Sequence, residues 1–343
     1  MTVHVPLGDS AYDVMIGAGL LAQCGALIRD ALKPQKALII TDVNVWKCGY
    51  HDTVLQSLQA AGITCEYFTL YAGEEHKTLT DYEEILRACA AFDLTGGDIL
   101  IALGGGVVGD LTGFAAATYR RGISYVQMPT TLLAAVDSSV GGKTGLNLPA
   151  GKNLVGAFWQ PSLVICDTQT HATLPPTEYA NGMAECIKYG LLWSEELFSA
   201  LAQGSNVSAE QIAQCVALKR GVVVDDEHDT GARRLLNLGH TLGHAIEQVS
   251  GYTIPHGAAV GIGMALMCKA FCPEIYDDVC TALQANHLPT NCDYSVAELF
   301  DALSRDKKRM GDNITIIVPL RIGQCELRTL PLSNFRALLE EKL

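Results

Sequence analysis

The sequence has no excess of positive charge: 24 Lys and Arg stand against 37 Asp and Glu, a formal net charge of -13. DNA, RNA and anionic membranes need a basic footprint, so this balance argues against them as general partners. A small anion held by a few local cations stays compatible with it. Runs of about 18 unbroken apolar residues are missing, so no membrane span is expected. Met1 to Asp13 lacks the basic segment followed by an apolar stretch that marks a secretory signal. The 12 cysteines include no CxxC pair, the closest two being Cys268 and Cys272. In a chain this long, scattered thiols read as buried side chains in a reducing cytoplasm. Internal repeats and low-complexity tracts are also lacking.

What is present is a large apolar fraction, 49% of 343 residues, which excludes disorder as the main state. At ~150 residues per domain the length suggests about two domains. The first half alternates apolar strand-like runs with helical stretches. Strands are expected at Lys36–Asp42, Thr64–Leu70, Asp98–Leu103, Tyr125–Met128 and Leu163–Cys166, and helices at Thr53–Ala61 and Thr80–Phe92. Such alternation implies βαβ units and a parallel sheet with ligands at the strands' carboxyl ends. Thr173-Leu-Pro-Pro176 reads as a hinge. Beyond it, helical periodicity covers Glu178–Leu192, Ala209–Val224, Leu235–Val249, His256–Phe271, Asp277–Ala285 and Val296–Leu303. A small β pair, Asn313–Val318 with Gln324–Arg328, precedes a last helix, Leu332–Leu343. The expected architecture is an α/β, nucleotide-type parallel-sheet domain (1–172) followed by a mainly α-helical domain (173–343).

Gly104, Gly106 and Gly109 fit GxGxxG spacing between a predicted strand and a predicted helix. Such glycines let the backbone approach a pyrophosphate at the positive end of the helix. The usual acid about 20 residues later is missing, and Asp42, closing an earlier strand, is the alternative ribose partner. Three polar, glycine-rich stretches follow: Gln127–Thr131, Asp137–Thr144 and Gly151–Asn153. Lys143 resembles a phosphate-loop lysine, but Asp137 stands where GxxxxGK[ST] requires glycine. Solvated loops are the plain alternative. Against it, Arg121, Lys143 and Lys152 sit beside glycines in apolar sequence, where a half-buried cation needs an anionic partner.

His240 and His244 share one helical face, and His256 follows Pro255 at an expected helix start. Thr241 rules out HExxH, although two histidines at i, i+4 suit Zn²⁺. Glu185 and Lys188 place an acid and a base one helical turn apart. The pattern does not choose Glu185 over Glu247 as a carboxylate ligand, nor say which histidine stays off the metal. Lys219 and Arg233 add cations on neighbouring predicted helices.

Taken together, Gly73-Glu74 with Lys77, Gly104–Asp110, Tyr119–Gly122, Pro129–Leu132, Val136–Thr144, Gly151–Leu154, Gly182–Gly190, Leu236–Glu247 and Asp306-Lys-Lys308 resemble the 3-dehydroquinate synthase family of the sugar phosphate cyclase superfamily. The resemblance runs from about Asp42 to Gly323. It implies a Rossmann-like NAD-binding domain and a metal- and substrate-binding domain. The implied reaction converts 3-deoxy-D-arabino-heptulosonate 7-phosphate to 3-dehydroquinate and phosphate, in the shikimate pathway of aromatic amino acid biosynthesis. NAD⁺ and a divalent metal, Zn²⁺ or Co²⁺, would serve it through transient oxidation, phosphate elimination, re-reduction and aldol closure.

By the same resemblance the metal ligands are Glu185, His240 and His256, with His244 left for proton transfer. NAD would lie against Asp42, Glu74, Lys77, Gly105, Gly106, Val107, Val108, Gly109, Asp110, Thr130, Thr131, Asp137, Lys143, Lys152, Thr170, Thr173 and Glu178. Substrate anions would meet Arg121, Lys143, Lys152, Asn153, Lys188, Lys219, Arg233, Asn237 and His244, joined by Lys307 or Lys308. Catalytic roles fall to His244, Lys143, Glu185, Arg121, Lys188 and Asn237. Arg121 in this family reaches the partner subunit's site, which implies a homodimer. Rival readings are another cyclase forming a 2-deoxy-scyllo-inosose or valiolone-type product, an iron-alcohol or glycerol dehydrogenase-like enzyme, and a catalytically inert NAD-binding scaffold.

Overall fold

A computed structural model describes residues 1–305 and 312–343. Its residues cluster into two compact units: Met1–Pro175 with Ile212–His228, and Pro176–Gln211 with Asp229–Leu343. Most of the helix Ala209–Asp225 thus clusters with the first unit, although it lies within the helical second half of the sequence.

The first unit is built on a seven-stranded sheet. Its strands are β1 (Thr2–Val5), β2 (Tyr12–Gly17), β3 (Lys36–Asp42), β4 (Thr64–Leu70), β5 (Ile99–Gly104), β6 (Ser124–Pro129) and β9 (Leu163–Asp167). They lie in the order β1-β2-β9-β6-β5-β3-β4. Only β1 and β2 pair antiparallel, and the remaining pairs are parallel. Successive side chains of a strand point to opposite faces, so one face buries Ile39, Ile101 and Leu103 while the other buries Leu38, Ile40, Leu100 and Ala102. Helices cover both faces, which is why β3 and β5 read as continuous apolar runs rather than alternating ones.

The chain runs from β3 outward to β4, then returns to lay β5 on the other side of β3. That reversal is a topological switch point, where the loops leaving adjacent strands diverge and open a crevice. Thr41 of β3 lies in register with Leu103 of β5, so Asp42 and the glycine-rich turn emerge side by side there.

Between β6 and β9, where the sequence reading names no strand, the structure adds two. β7 (Lys143–Leu148) and β8 (Gly151–Phe158) form an antiparallel hairpin. Its strands approach closely through glycine: a Cβ on Gly145 would stand 2.5 Å from the Val155 carbonyl oxygen.

The second unit is mainly helical, with one two-stranded sheet, β10 (Asn313–Arg321) and β11 (Gln324–Pro331). Its core gathers Leu242, Phe300, Ile316, Val318 and Phe335. Helices span Pro176–Trp193, His240–Val249 and His256–Phe271. The single helix expected over Leu235–Val249 is divided: a 3₁₀ segment, Ala232–Asn237, ends before Gly239, whose φ of 77° is left-handed, and the α-helix starts at His240. No helix among the described residues is long and apolar enough to cross a membrane.

Candidate active site

In the first unit, the carboxyl ends of β3, β4, β5 and β6 collect most of the polar residues singled out from the sequence. Gly105 precedes the helix Gly106–Thr118, so the turn leads into a helix N-terminus with its outward N–H groups. Thr130 N–H donates to the Gly104 carbonyl at 3.0 Å. Thr131 and Ser138 cover the turn, each within 3.2 Å of where a Cβ on Gly105 or Gly106 would lie. Asp42 is occupied locally, its Oδ1 accepting from the N–H groups of Asn44 (2.8 Å) and Val45 (3.1 Å) and so capping the next short helix.

Lys77 is buried, and its Nζ donates to Asp110 Oδ2 at 2.5 Å and Asn153 Oδ1 at 2.6 Å. Burial raises the Asp110 carboxyl above its ordinary pKa, and the neighbouring Lys77 ammonium offsets this only in part. Asn147, which sequence reasoning missed, ties this group together. Its N–H donates to the Lys77 carbonyl (2.8 Å), its amide to Glu74 Oε1 (2.7 Å), and its Oδ1 accepts from Asn153 N–H (2.8 Å). No sequence signal marks it, because its role depends on the hairpin.

Lys219 Nζ donates to the Asp137 carbonyl at 2.6 Å and to its Oδ1 at 2.5 Å. Asp137 lies in a π-helical turn, Ala134–Ser138, a bulge type frequent at functional sites. Lys143 and Lys152 are exposed on the hairpin. Arg121 is exposed with a left-handed φ of 66°. Thr170 and Thr173 are engaged in their own turn, Thr173 also bonding Tyr50 at 2.9 Å.

The second unit holds the histidines. His240, His244 and Glu247 lie on one face of His240–Val249, and His256 begins the next helix. Close packing brings these helices to Pro176–Trp193. A Cβ on Gly257 would stand 2.4 Å from Asn181 Cα, so only glycine lets His256 reach the helix carrying Glu185, one turn beyond Asn181. Imidazole centroids lie 5.4 Å (His240–His244), 5.2 Å (His240–His256) and 6.1 Å (His244–His256) apart.

Glu185 is fully buried and forms an ion pair with Lys188, also buried. Lys188 contacts the Glu185 Oε2, whereas Oε1 lies 3.6 Å from His240 Nε2 and accepts no hydrogen bond among the described residues. A buried carboxylate oxygen left so is costly unless a further cation, in addition to Lys188, completes its surroundings. Glu185, His240 and His256 each bring a ligand atom within 4.8 Å of the others. One carboxylate and two imidazoles suit a Zn²⁺-type ion with a position left for a ligand. Burial, followed by the charges of Lys188 and the other two imidazoles, holds His240 well below the usual histidine pKa, so its lone pair is available at neutral pH. Burial also pushes His256 down, but its hydrogen bond to Glu247 and the charges of Glu185 and Glu247 outweigh this and raise its pKa.

Arg233 is buried in the 3₁₀ segment that Asn237 ends, and His244 and Asn237 are exposed. Glu178 accepts a long, 3.5 Å hydrogen bond from Asn181. Lys307 and Lys308 lie outside the described residues.

Family models for the 3-dehydroquinate synthase N-terminal and C-terminal regions match residues 67–181 and 182–309. A 3-dehydroquinate synthase from Rhizobium etli is 44% identical over 99% of this chain and 96% of its own length. The chain belongs to the 3-dehydroquinate synthase family. Solved structures place this family member among sugar phosphate cyclases. A 2-deoxy-scyllo-inosose synthase complexed with carbaglucose-6-phosphate, NAD⁺ and Co²⁺ aligns with a TM-score of 0.88 and 25% identity over all of both chains. A 2-epi-5-epi-valiolone synthase from Streptomyces hygroscopicus with NAD⁺ and Zn²⁺ bound aligns at 0.85 and 26% identity, covering 96% of this chain and 95% of that one. The α/β fold with a mostly parallel sheet, read from alternating strands and helices, is the one these enzymes share.

Proposed function

We propose that this chain is an NAD- and metal-dependent lyase that converts 3-deoxy-D-arabino-heptulosonate 7-phosphate to 3-dehydroquinate and phosphate. The observation that carries the choice of substrate is the 44% identity to a 3-dehydroquinate synthase over nearly the whole of both chains. Cyclases of the scyllo-inosose and valiolone types share the fold at only 25% and 26%. Glu185, His240 and His256 hold the metal, a reading supported by their converging ligand atoms and the buried Glu185 carboxylate. The glycine turn, with Asp42, Glu74, Lys77, Asp110, Thr130, Thr131 and Asp137, holds NAD at the carboxyl ends of the strands.

When bound, NAD⁺ supplies a reversible oxidation at C5 and the metal polarises the oxygen there. The protein's own residues do the rest. Arg121, Lys143, Lys152, Lys188, Lys219 and Arg233 bind and orient the substrate's phosphate and carboxylate, with Asn153 and Asn237 as neutral donors. Holding one conformer lowers the entropic cost of elimination and ring closure. His244 moves a proton at the substrate hydroxyl, supported by its exposed position beside two imidazoles. The protein works as a homodimer, a reading supported by the exposed, left-handed Arg121 and the family's use of that arginine across subunits. Its twelve cysteines are all free thiols, which supports a reducing, cytoplasmic location.

The test is phosphate release from the heptulosonate phosphate with catalytic NAD⁺, followed together with absorbance at about 340 nm, where NADH absorbs. Chelator-sensitive phosphate release without net NADH is expected. Metallated protein that releases no phosphate from this substrate overturns the reading in favour of another sugar phosphate, and stoichiometric NADH points to a polyol dehydrogenase.

A further inference from the structure

Glu247 is the acid to which the proposed reaction assigns no task. It is 5% exposed, and its Oε2 lies 3.2 Å from His256 Nδ1. Two donor groups share His256: one is Glu185, His240 and His256, the other His244, Glu247 and His256. Spacing along the sequence leaves both carboxylates eligible as ligands, but their hydrogen bonding separates them. Glu185 pairs with Lys188 through Oε2 and leaves its Oε1 without a hydrogen bond beside His240, whereas Glu247 is already engaged with an imidazole nitrogen of His256.

An ionised carboxylate only accepts, so Nδ1 of His256 carries the proton in this contact. Its other nitrogen, Nε2, then carries the lone pair. An imidazole that gives one N–H to a carboxylate has its tautomer and ring orientation set for metal binding through the other nitrogen. The backbone holds the two residues in step. Glu247 C=O accepts from Tyr252 N–H (2.7 Å) and from Ser250 Oγ (2.9 Å), which closes the turn leading to Pro255 and His256.

We propose that Glu247 is a positioning residue that accepts the Nδ1–H of His256 and so presents Nε2 to the metal held with Glu185 and His240. The role rests on the metal reading above, and metal affinity separates the two. Zn²⁺ affinity by competition with a chromophoric chelator, and the visible spectrum of the Co²⁺-loaded protein, are measured for wild type, Glu185→Gln, Glu247→Ala and Glu247→Gln. Wild type that takes up no metal overturns the metal reading itself.

If wild type binds, Glu185→Gln is expected to abolish binding. Glu247→Ala should weaken it about 10- to 100-fold and shift the cobalt bands, as losing an orienting partner does. Glu247→Gln keeps an oxygen acceptor, so most of the affinity should return. Melting curves of the chelated proteins show whether each variant folds, and the near-isosteric glutamine variant carries the test if alanine does not. A folded Glu247→Ala protein with wild-type affinity and spectrum overturns the role. So does a Glu247→Gln protein as defective as Glu185→Gln, because Glu247 would then be a ligand.

Discussion

The carboxyl ends of the first unit's strands and the helical cluster of the second both concentrate charged residues, but they leave them in different states. At the strand ends Lys77 meets the acid Asp110 and the amide of Asn153, and Lys219 meets the acid Asp137. Folding alone completes that network. The helical cluster instead sets three imidazoles with centroids 5.2, 5.4 and 6.1 Å apart beside Glu185, whose Oε2 pairs with Lys188 while its Oε1 accepts no hydrogen bond among the described residues. Imidazoles so close cannot all be protonated, and the proposed metal is the cation that His240 and His256 would share with Glu185. Breaking the first arrangement should therefore cost stability, and breaking the second should cost the metal.

The strongest break is His256→Ala, or chelation of the wild type. Bound metal and activity should vanish together, kcat/KM falling on the order of a thousandfold or more. Metal analysis beside the phosphate assay checks this, and full metal occupancy in an inactive His256→Ala protein would contradict it.

His244→Ala sharpens the comparison within the cluster. It should keep the metal while kcat drops about 10²- to 10⁴-fold, the usual contribution of a general acid–base group. Metal lost along with turnover would make His244 a ligand.

Lys77→Met is the counterpart in the first unit. It leaves Asp110 without its cation, and removing one partner of a buried pair costs about 3–5 kcal/mol. Because burial already raises the Asp110 carboxyl, proton uptake there limits the loss to the lower end of that range. Urea unfolding reads the cost, and metal content should stay at the wild-type level.

The smallest effect is expected at Asp98, where the first unit satisfies an acid mainly with hydrogen bonds. Its carboxylate accepts from Thr95 N–H, Thr95 Oγ1 and Lys36 N–H. Burial pushes its pKa up, but the bonds from the Thr95 side chain, the Thr95 backbone and the Lys36 backbone outweigh this and hold it below the usual value. A depressed folded pKa contributes stability in full above the unfolded value, about 3.9, and loses it as pH falls toward the folded value. Asp98→Asn should thus cost about 1–3 kcal/mol at neutral pH. The gap from wild type should shrink below pH of about 4, and a gap independent of pH would rule out the ionised carboxylate as its source.

Much of this was legible along the chain. β3 and β5 could be read because strands covered on both faces are continuously apolar, and the glycine turn because Gly104, Gly106 and Gly109 fall between such a strand and a helix. The hairpin β7–β8 could not. Gly145 and Gly156 look like loop residues, and what makes them strand residues is the close approach of the facing backbone. Asn147 stayed hidden for the same reason. The break before His240 was missed because the apolar period runs through Gly239, where a left-handed residue interrupts the helix without interrupting the pattern.

The sequence by itself determined the kinds of element and the local pairs: Glu185 with Lys188, and His240 with His244, because one helical turn places residues three or four apart on a common face. That rule reaches no further than a single helix. Which acid serves which histidine was decided only by the tertiary structure. Gly257 lies against Asn181, and Gly263 against the Gly239 backbone. These contacts bring Glu185, His240 and His256 together from three helices and leave Glu247 facing Nδ1 of His256. Backbone approach that close depends on the absence of side chains at positions far apart in the chain, a property of packing that no local period records.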